Sequence, residues 1–238
     1  MSTLSGGPGV VVDGLVLWLD AANPKSYVSG STTWNDISGN RNNGTLTNGP
    51  TFNSSNGGSI VFDGTNDYIS TPLQILDRPC TFSTWVNLST IAGWQTLFGQ
   101  DTSVSIPRGR FYFQKADATI EGLIQNKINF SIVKSDGSVV PTNALNVIQI
   151  NTWYNYTATL TTTSISLYEN GVLQNTTSNS DLFLTPNTTI TLNAGYFNNS
   201  VVDFINGKSS IFQIYNRALS ATEVLQNYNS LKSRFGLT

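Results

Sequence analysis

Carboxylates, amides and large aromatic rings are the groups in this 238-residue chain that could do chemistry, and their spacing decides which chemistry is open to them. Acid–base catalysis by carboxylates needs two of them set around one reacting bond, with one held protonated. The chain has three glutamates, Glu121, Glu169 and Glu223, and they are scattered. Glu169 stands just before an Asn-Gly turn and Glu223 where a helix cap is expected, so both have structural uses. Histidine is absent, which removes imidazole bases and histidine metal sites. The single cysteine, Cys80, has no histidine to activate it and reads as a buried strand residue. No catalytic residue is assigned, and the chain is expected not to be an enzyme.

Hard cations take oxygen ligands from carboxylates, amides and backbone carbonyls. Asp20, Asp36, Asp63, Asn66, Asp67 and Asp203 offer such oxygens, and Asp20, Asp63 and Asp67 are the candidates for a calcium site. The same residues have a second reading, with Asp63-Gly64 as a turn and Asp67 as a hydrogen-bond partner for its loop. No EF-hand spacing is present. Sugars stack on exposed aromatic rings and bond to amides and carboxylates. Trp94, Trp34, Tyr112 and Tyr196 fall in or near loops, and the stretch 194–199, with Tyr196, Phe197 and Asn198, ranks first as a glycan-contacting loop. Against this, large aromatic side chains are mostly buried, so each ring has a packing alternative.

Strands must position these groups. Leu15–Leu19, ending at Asp20, lacks polar alternation and is expected either to be buried on both faces or to sit at a chain crossing. Thr45-Leu46, Thr51-Phe52, Ser59–Phe62 and Asp67–Ile69 read as short strands in a stretch full of Asn-Gly turns. Residues 81–86 alternate, with Phe82 on one face and Ser83 and Trp85 on the other. Further strands are expected at 96–100, 110–114, 128–133, 190–192 and 210–215. Asn170-Gly171 joins 164–169 to Val172-Leu173 in a type I′ hairpin, with Ile165 and Leu167 inward and Ser166 and Tyr168 outward. One helix starts at the capping box Ser220-Ala221-Thr222-Glu223, with Leu219 and Val224 as its staple and Val224, Leu225, Tyr228 and Leu231 as its apolar face. Arg217 is expected to pair beside the helix start.

An apolar fraction of 39% supports a core, while charged residues make up only 11%, against roughly 25% in ordinary soluble proteins. Asn, Thr, Ser and Gly take their place, a composition common on secreted, cell-surface and virion proteins. The net charge is −2 and no basic patch stands out, which gives nucleic-acid binding no support. No apolar run approaches the roughly 20 residues of a membrane span. Met1–Gly9 has neither a cationic start nor an apolar run, so a secretory signal is not expected. Residues 1–13 read as an arm or linker and 14–238 as one domain. Asn-x-Ser/Thr triplets at Asn87, Asn129 and Asn155 read as by-products of Asn and Thr richness.

Five segments in order, Gly14-Leu15-Val16-Leu17-Trp18-Leu19-Asp20, Trp34–Asn40, Ile60–Gly64 leading to Asp67-Tyr68-Ile69, Leu167–Gly171 and Ile214–Ser220, resemble the laminin-G/pentraxin-like branch of the concanavalin A-like lectin and glucanase superfamily. Within it the chain is similar to laminin-G-type domains of phage structural proteins. The resemblance runs from about Gly14 onward. It implies an all-β fold, a two-sheet antiparallel jelly-roll sandwich, to which the sequence adds one short C-terminal helix. Related domains often hold calcium at the sandwich rim, and related hydrolases carry an acidic cluster around a catalytic glutamate that this chain lacks. The expected role is a non-enzymatic virion surface component (capsid decoration, head fibre or tail appendage), homo-oligomeric, bound to other virion proteins and adhering to host-surface glycans. The alternative is a free, extracellular carbohydrate-binding module.

Overall fold

Alternating residues and Asn-Gly turns resolve, in a computed structural model, into strands β1 (Leu15–Asp20), β2 (Thr33–Trp34), β3 (Gly44–Thr47), β4 (Thr51–Asn53), β5 (Ser59–Asp63), β6 (Tyr68–Ser70), β7 (Cys80–Leu88), β8 (Gln95–Gln100) and β9 (Phe111–Lys115). They continue with β10 (Lys127–Val133), β11 (Val139–Val147), β12 (Tyr154–Leu160), β13 (Ser164–Glu169), β14 (Val172–Ser178), β15 (Thr191–Leu192), β16 (Gly195–Phe197), β17 (Ser200–Val202) and β18 (Asn206–Tyr215). Helix α1 (Ala221–Leu231) and a 3-10 turn (Lys232–Phe235) end the chain. The structure describes residues 9–75, 79–100, 111–119, 121–133, 138–178, 189–197 and 200–238.

Two large antiparallel sheets face each other. The first runs β14-β13-β12-β7-β18-β5-β4, with β1 also paired to β18; the second runs β11-β10-β9-β8-β15-β6-β3-β2. Strand β18 is shared because a bulge between Ser209 and Ile211 divides it. Its first half pairs with β5 and its second half with β1, while β7 runs along its other side. Period-two patterning then sets each face. Phe82 and Val86 of β7 enter the core between the sheets, whereas Trp85 joins a separate cluster on the outer face. The core is an aromatic mesh in which Phe82 meets Phe111 at 4.8 Å and Phe98 meets Phe212 edge-on at 5.4 Å.

The first sheet's outer face is apolar too, and the C-terminal helix covers it. Leu15, Tyr168, Tyr215, Leu219 and Val224 form one cluster there; Trp85, Ile211 and Phe235 form another. This is why β1 lacks polar alternation, and why Tyr168, expected to face outward, meets the helix rather than water. Leu225, expected on the helix's apolar face, is instead 43% exposed, and Asn227 takes the buried position. The segment 9–13, expected as an arm, is tied down from Gly9. Val11 N–H donates to Asn227 Oδ1 (2.8 Å), the Tyr215 hydroxyl donates to Val11 O (3.0 Å), and Gln226 donates to Gly9 O (2.8 Å).

The helix start is built as its sequence implies. Glu223 N–H donates to Ser220 Oγ (3.3 Å), and Ser220 N–H donates back to Glu223 Oε2 (2.8 Å). Arg217 grips Glu223 with both terminal nitrogens, at 3.0 and 2.7 Å, and reaches Asp13. Arg217 first, then the Ser220 N–H, holds the Glu223 carboxyl down at about 2, against an ordinary 4.5. A carboxyl depressed in the folded state contributes stability above its unfolded pKa and loses it as pH falls toward the folded one. Glu223→Gln is therefore expected to lower stability by about 1–2 kcal/mol at neutral pH. In urea titrations the wild-type and variant curves should converge between pH 4.5 and about 2; a gap that persists below that window would refute the assignment.

Candidate functional site

The ring expected at one sugar-contacting position is structural. Trp34 is fully buried, packed edge-on against Phe212 at 5.9 Å and against Tyr27 at 6.0 Å, so it has no face to offer a ligand. Tyr112 is likewise buried in β9 and spends its hydroxyl on the Tyr196 carbonyl, 3.1 Å away. That bond helps hold β16 and β17 as a two-stranded layer across the second sheet, where Gly99 and Gly195 come into close backbone contact. The stretch expected as a loop is thus a hairpin, and Tyr196 keeps a half-buried ring on it. The Phe197 side chain and Asn198 lie outside the described residues.

Trp94 is half-buried and immediately precedes β8. Its loop is pinned from two sides. Gln95 Nε2 donates to Thr90 O (2.9 Å) and Ala92 O (3.2 Å), and Lys115 donates to Ile91 O. Lys115 is buried and pairs with Asp117 at 3.3 Å; burial lowers its pKa and Asp117 opposes the fall. Trp94 and Tyr196 therefore both flank β8 on fixed backbone.

The three aspartates expected to share calcium are not brought together. Asp20 lies beside Gly58, at the start of β5, and its Oδ1 is paired with Arg234 at 2.7 Å while accepting from Ala22 N–H. Asp63 lies at the other end of β5. Asp63 Oδ1 accepts from Thr65 N–H (2.7 Å), and Asp67 Oδ2 accepts from Asp63 N–H (3.2 Å). Burial raises the Asp67 pKa, the Asp63 N–H opposes this, and the Asp63 charge adds to the rise. Asp36 is also occupied, accepting from Trp18, Ser38 and Asn42 N–H groups and so fixing its loop on β1. Among the described residues no three acidic, Cys or His side chains converge where a metal could sit. The three do not form one calcium centre, because Asp20 is spent on Arg234 at the other end of β5, while Asp63 and Asp67 each give one oxygen to a backbone N–H of their own loop.

The glutamates do not face one another either. Tyr156 donates to Glu169 Oε2 (3.2 Å), its hydroxyl kept protonated by burial and by the Glu169 charge, and Asn146 donates to Oε1 (3.2 Å). Glu223 caps α1, and Glu121 adopts a left-handed backbone between β9 and β10. The triplet asparagines Asn87, Asn129 and Asn155 are buried strand residues.

One concavity escaped the sequence reading. A cleft of about 420 Å³ opens where both sheets end, lined by residues that include Tyr27, Ser29, Thr32, Asn48, Thr51 and Phe52. Its signal was present as two turn-rich stretches, 28–32 and 48–51, each beside an aromatic residue. Nothing local, however, says that they meet.

Solved structures with this architecture include a domain of an arabinanase and the binding domains of clostridial toxins. Domain 4 of AbnA, a GH43 extracellular arabinanase from Geobacillus stearothermophilus, in complex with arabinotriose, matches with a TM-score of 0.70 at 16% identity, over 90% of this chain and 98% of that one. The botulinum neurotoxin serotype D ligand binding domain in complex with N-acetylneuraminic acid matches at 0.67 and 15%, over 92% and 51%. The binding domain of Paraclostridial Mosquitocidal Protein 1 matches at 0.65 and 17%, over 92% and 52%. The chain thus spans about half the length of these toxin domains. A sequence search of curated proteins returned no match. The laminin-G family model of the concanavalin A-like lectin/glucanases superfamily matches residues 63–225. With β6 through β18 inside that match and the lectin-like jelly-roll built around it, the chain belongs to the concanavalin A-like lectin/glucanases superfamily.

Proposed function

We propose that this chain is a non-catalytic glycan-binding domain displayed on a virus particle, as a capsid decoration, head fibre or tail appendage. The fate of the carboxylates carries the non-catalytic reading. Glu169 and Glu223 are each held by neighbours in structural roles, so neither is poised across a cleft from a partner, as sugar cleavage requires. Uncharged hydroxyls and amides with half-buried rings supply the chemistry of sugar contact instead. The display reading rests on the low charge and on the strap 9–13, bound to α1 outside the first sheet. Attachment through the residues before Gly9 would turn the second sheet outward.

A glycan array probed with the full chain, with and without calcium, is expected to give reproducible binding and no new reducing ends on the bound glycans. Binding to no glycan under either condition, or release of sugar, would overturn the proposal. Electron microscopy of particles carrying the chain is expected to show repeated copies on the shell or tail; absence from purified particles would end the display half of it.

A further inference from the structure

We propose that the cleft at the open edge of the sandwich binds one neutral sugar unit of a glycan chain, a reading that rests on the glycan-binding function proposed above. The cleft lies between β4, the last strand of the first sheet, and β3 with the segment 29–32 that leads into β2, at the end of the second. Its volume, about 420 Å³, falls within the roughly 300–1,000 Å³ of small-molecule sites.

The lining contains no Asp, Glu, Lys or Arg. A charged ligand entering it would lose hydration without gaining an ion partner, whereas a neutral polyol exchanges water for hydroxyl and amide partners. Those partners are the exposed hydroxyl residues Ser29, Thr32 and Thr51 and the exposed amide residue Asn48. The apolar side is half-buried Phe52, which a sugar ring face can cover. Phe52 is held in place before any ligand arrives. Tyr27 stacks on it at 5.5 Å with 27° between the planes, and Trp34 braces Tyr27 edge-on. The walls are fixed as well. The Tyr27 hydroxyl donates to Ser31 O (3.1 Å), Leu46 N–H to Thr32 O (2.7 Å), and the Asn48 amide to Asn66 O (2.8 Å). A site whose rings and walls are already ordered loses little freedom on binding, which favours recognition of a small ligand.

The test is an NMR titration of the isotope-labelled full chain with arabinotriose, lactose, cellotriose, chitotriose, maltotriose and N-acetylneuraminic acid. At least one neutral oligosaccharide is expected to shift the backbone amides of 29–32 and 48–52, while N-acetylneuraminic acid leaves them in place. Phe52→Ala is expected to weaken that binding by about tenfold or more. Because Phe52→Ala could loosen the edge, Thr51→Asp, which places a charge at an exposed position, and Asn48→Gly, which keeps the left-handed backbone found there, are run beside it with thermal unfolding as the fold check. Each is expected to weaken binding, Thr51→Asp with the unfolding temperature unchanged and Asn48→Gly with only the small drop that loss of its bond to Asn66 O brings. Binding that maps to Trp94 and Tyr196 and survives Thr51→Asp would overturn the cleft and leave the glycan-binding reading standing. Binding of N-acetylneuraminic acid in the cleft as tight as any neutral sugar would overturn the neutral specificity. A chain that binds neither these probes nor any arrayed glycan would overturn the parent reading.

Discussion

Replacing Phe235 by alanine is expected to lower the unfolding free energy by about 3–5 kcal/mol, the range for deleting a buried phenylalanine. Phe235 is 6% exposed and belongs to no strand. It nonetheless closes the outer face of the central strands. Its ring lies parallel to Trp85 at 4.0 Å and against Trp153 at 4.8 Å, with the Arg234 guanidinium over it at 5.2 Å. Trp85 sits on β7, between β12 and β18, so a gap there opens over the middle of the sheet rather than over an edge. Tyr228, stacked on Trp85 at 5.7 Å, cannot collapse into the space without unseating α1. Two readouts check this. Urea unfolding gives the loss, and native-state tryptophan emission should move to the red as Trp85 meets water. Phe235→Leu, which keeps most of the volume, should cost less than about 1.5 kcal/mol. A Phe235→Ala chain within 1 kcal/mol of wild type, or with unmoved emission, would mean that the helix layer does not seal the sheet.

The importance of this layer was only half readable in the chain. Ser220–Glu223 announces the helix because a capping box is a local device, and Asn170-Gly171 announces its hairpin for the same reason; both residues of that turn have positive φ. Strands of strict alternation, such as β7 with Phe82 and Val86 on the core side and Trp85 on the other, also declare themselves. Strands β11 and β12 did not. In β12, Tyr156, Ala158 and Leu160 point into the core, but Asn155, Thr157 and Thr159 fill the alternate positions. This chain uses the same Asn and Thr in its turns, so composition does not separate strand from loop. The polar side is satisfied by cross-strand partners, Thr157 with Ser83 at 2.8 Å and Asn155 with Ser83 at 3.2 Å, and those become visible only once β12 lies beside β7. Pro141 and Asn143 hide β11, which tolerates them because it is an edge strand.

The site was less legible than the fold for a related reason. Trp34 sits in a strand of two residues, and its burial is decided by Phe212 far along the chain. Tyr27 and Phe52 stack across the sandwich edge although they lie far apart in sequence, so no spacing rule flags the pair. Single residues carry burial odds; a binding cleft is a property of loops that meet.

Asp20→Asn is expected to lower stability by about 3–5 kcal/mol, because it strips the counter-charge from a largely buried arginine. Arg234 is a hub. It donates to Asp20 Oδ1 at 2.7 Å, to Asn56 O at 2.8 Å, to Gly58 O at 2.9 Å and to Ser210 Oγ, with only 17% of its side chain exposed and 11% of that of Asp20. These bonds join the end of β1, the turn before β5, the middle of β18 and the C-terminal turn at one point. Gly58 makes the approach possible, since at its φ of 143° an added methyl would strike the Ala21 carbonyl oxygen. Lysine cannot replace the arginine, because one ammonium does not present forked donors to four acceptors. A double-mutant cycle separates the pair from its surroundings. Arg234→Met alone should cost about as much as Asp20→Asn, and the double variant should cost clearly less than the two together, since each single change leaves the other partner buried and unpaired. The same cycle decides between the two roles of Asp20. If it serves as the partner of Arg234, the loss in Asp20→Asn is equal with and without calcium. If it ligates calcium, the loss appears only when calcium is present, and the coupling to Arg234 vanishes. The geometry, with the arginine already on the carboxylate, favours the first result, and an additive double variant would refute it.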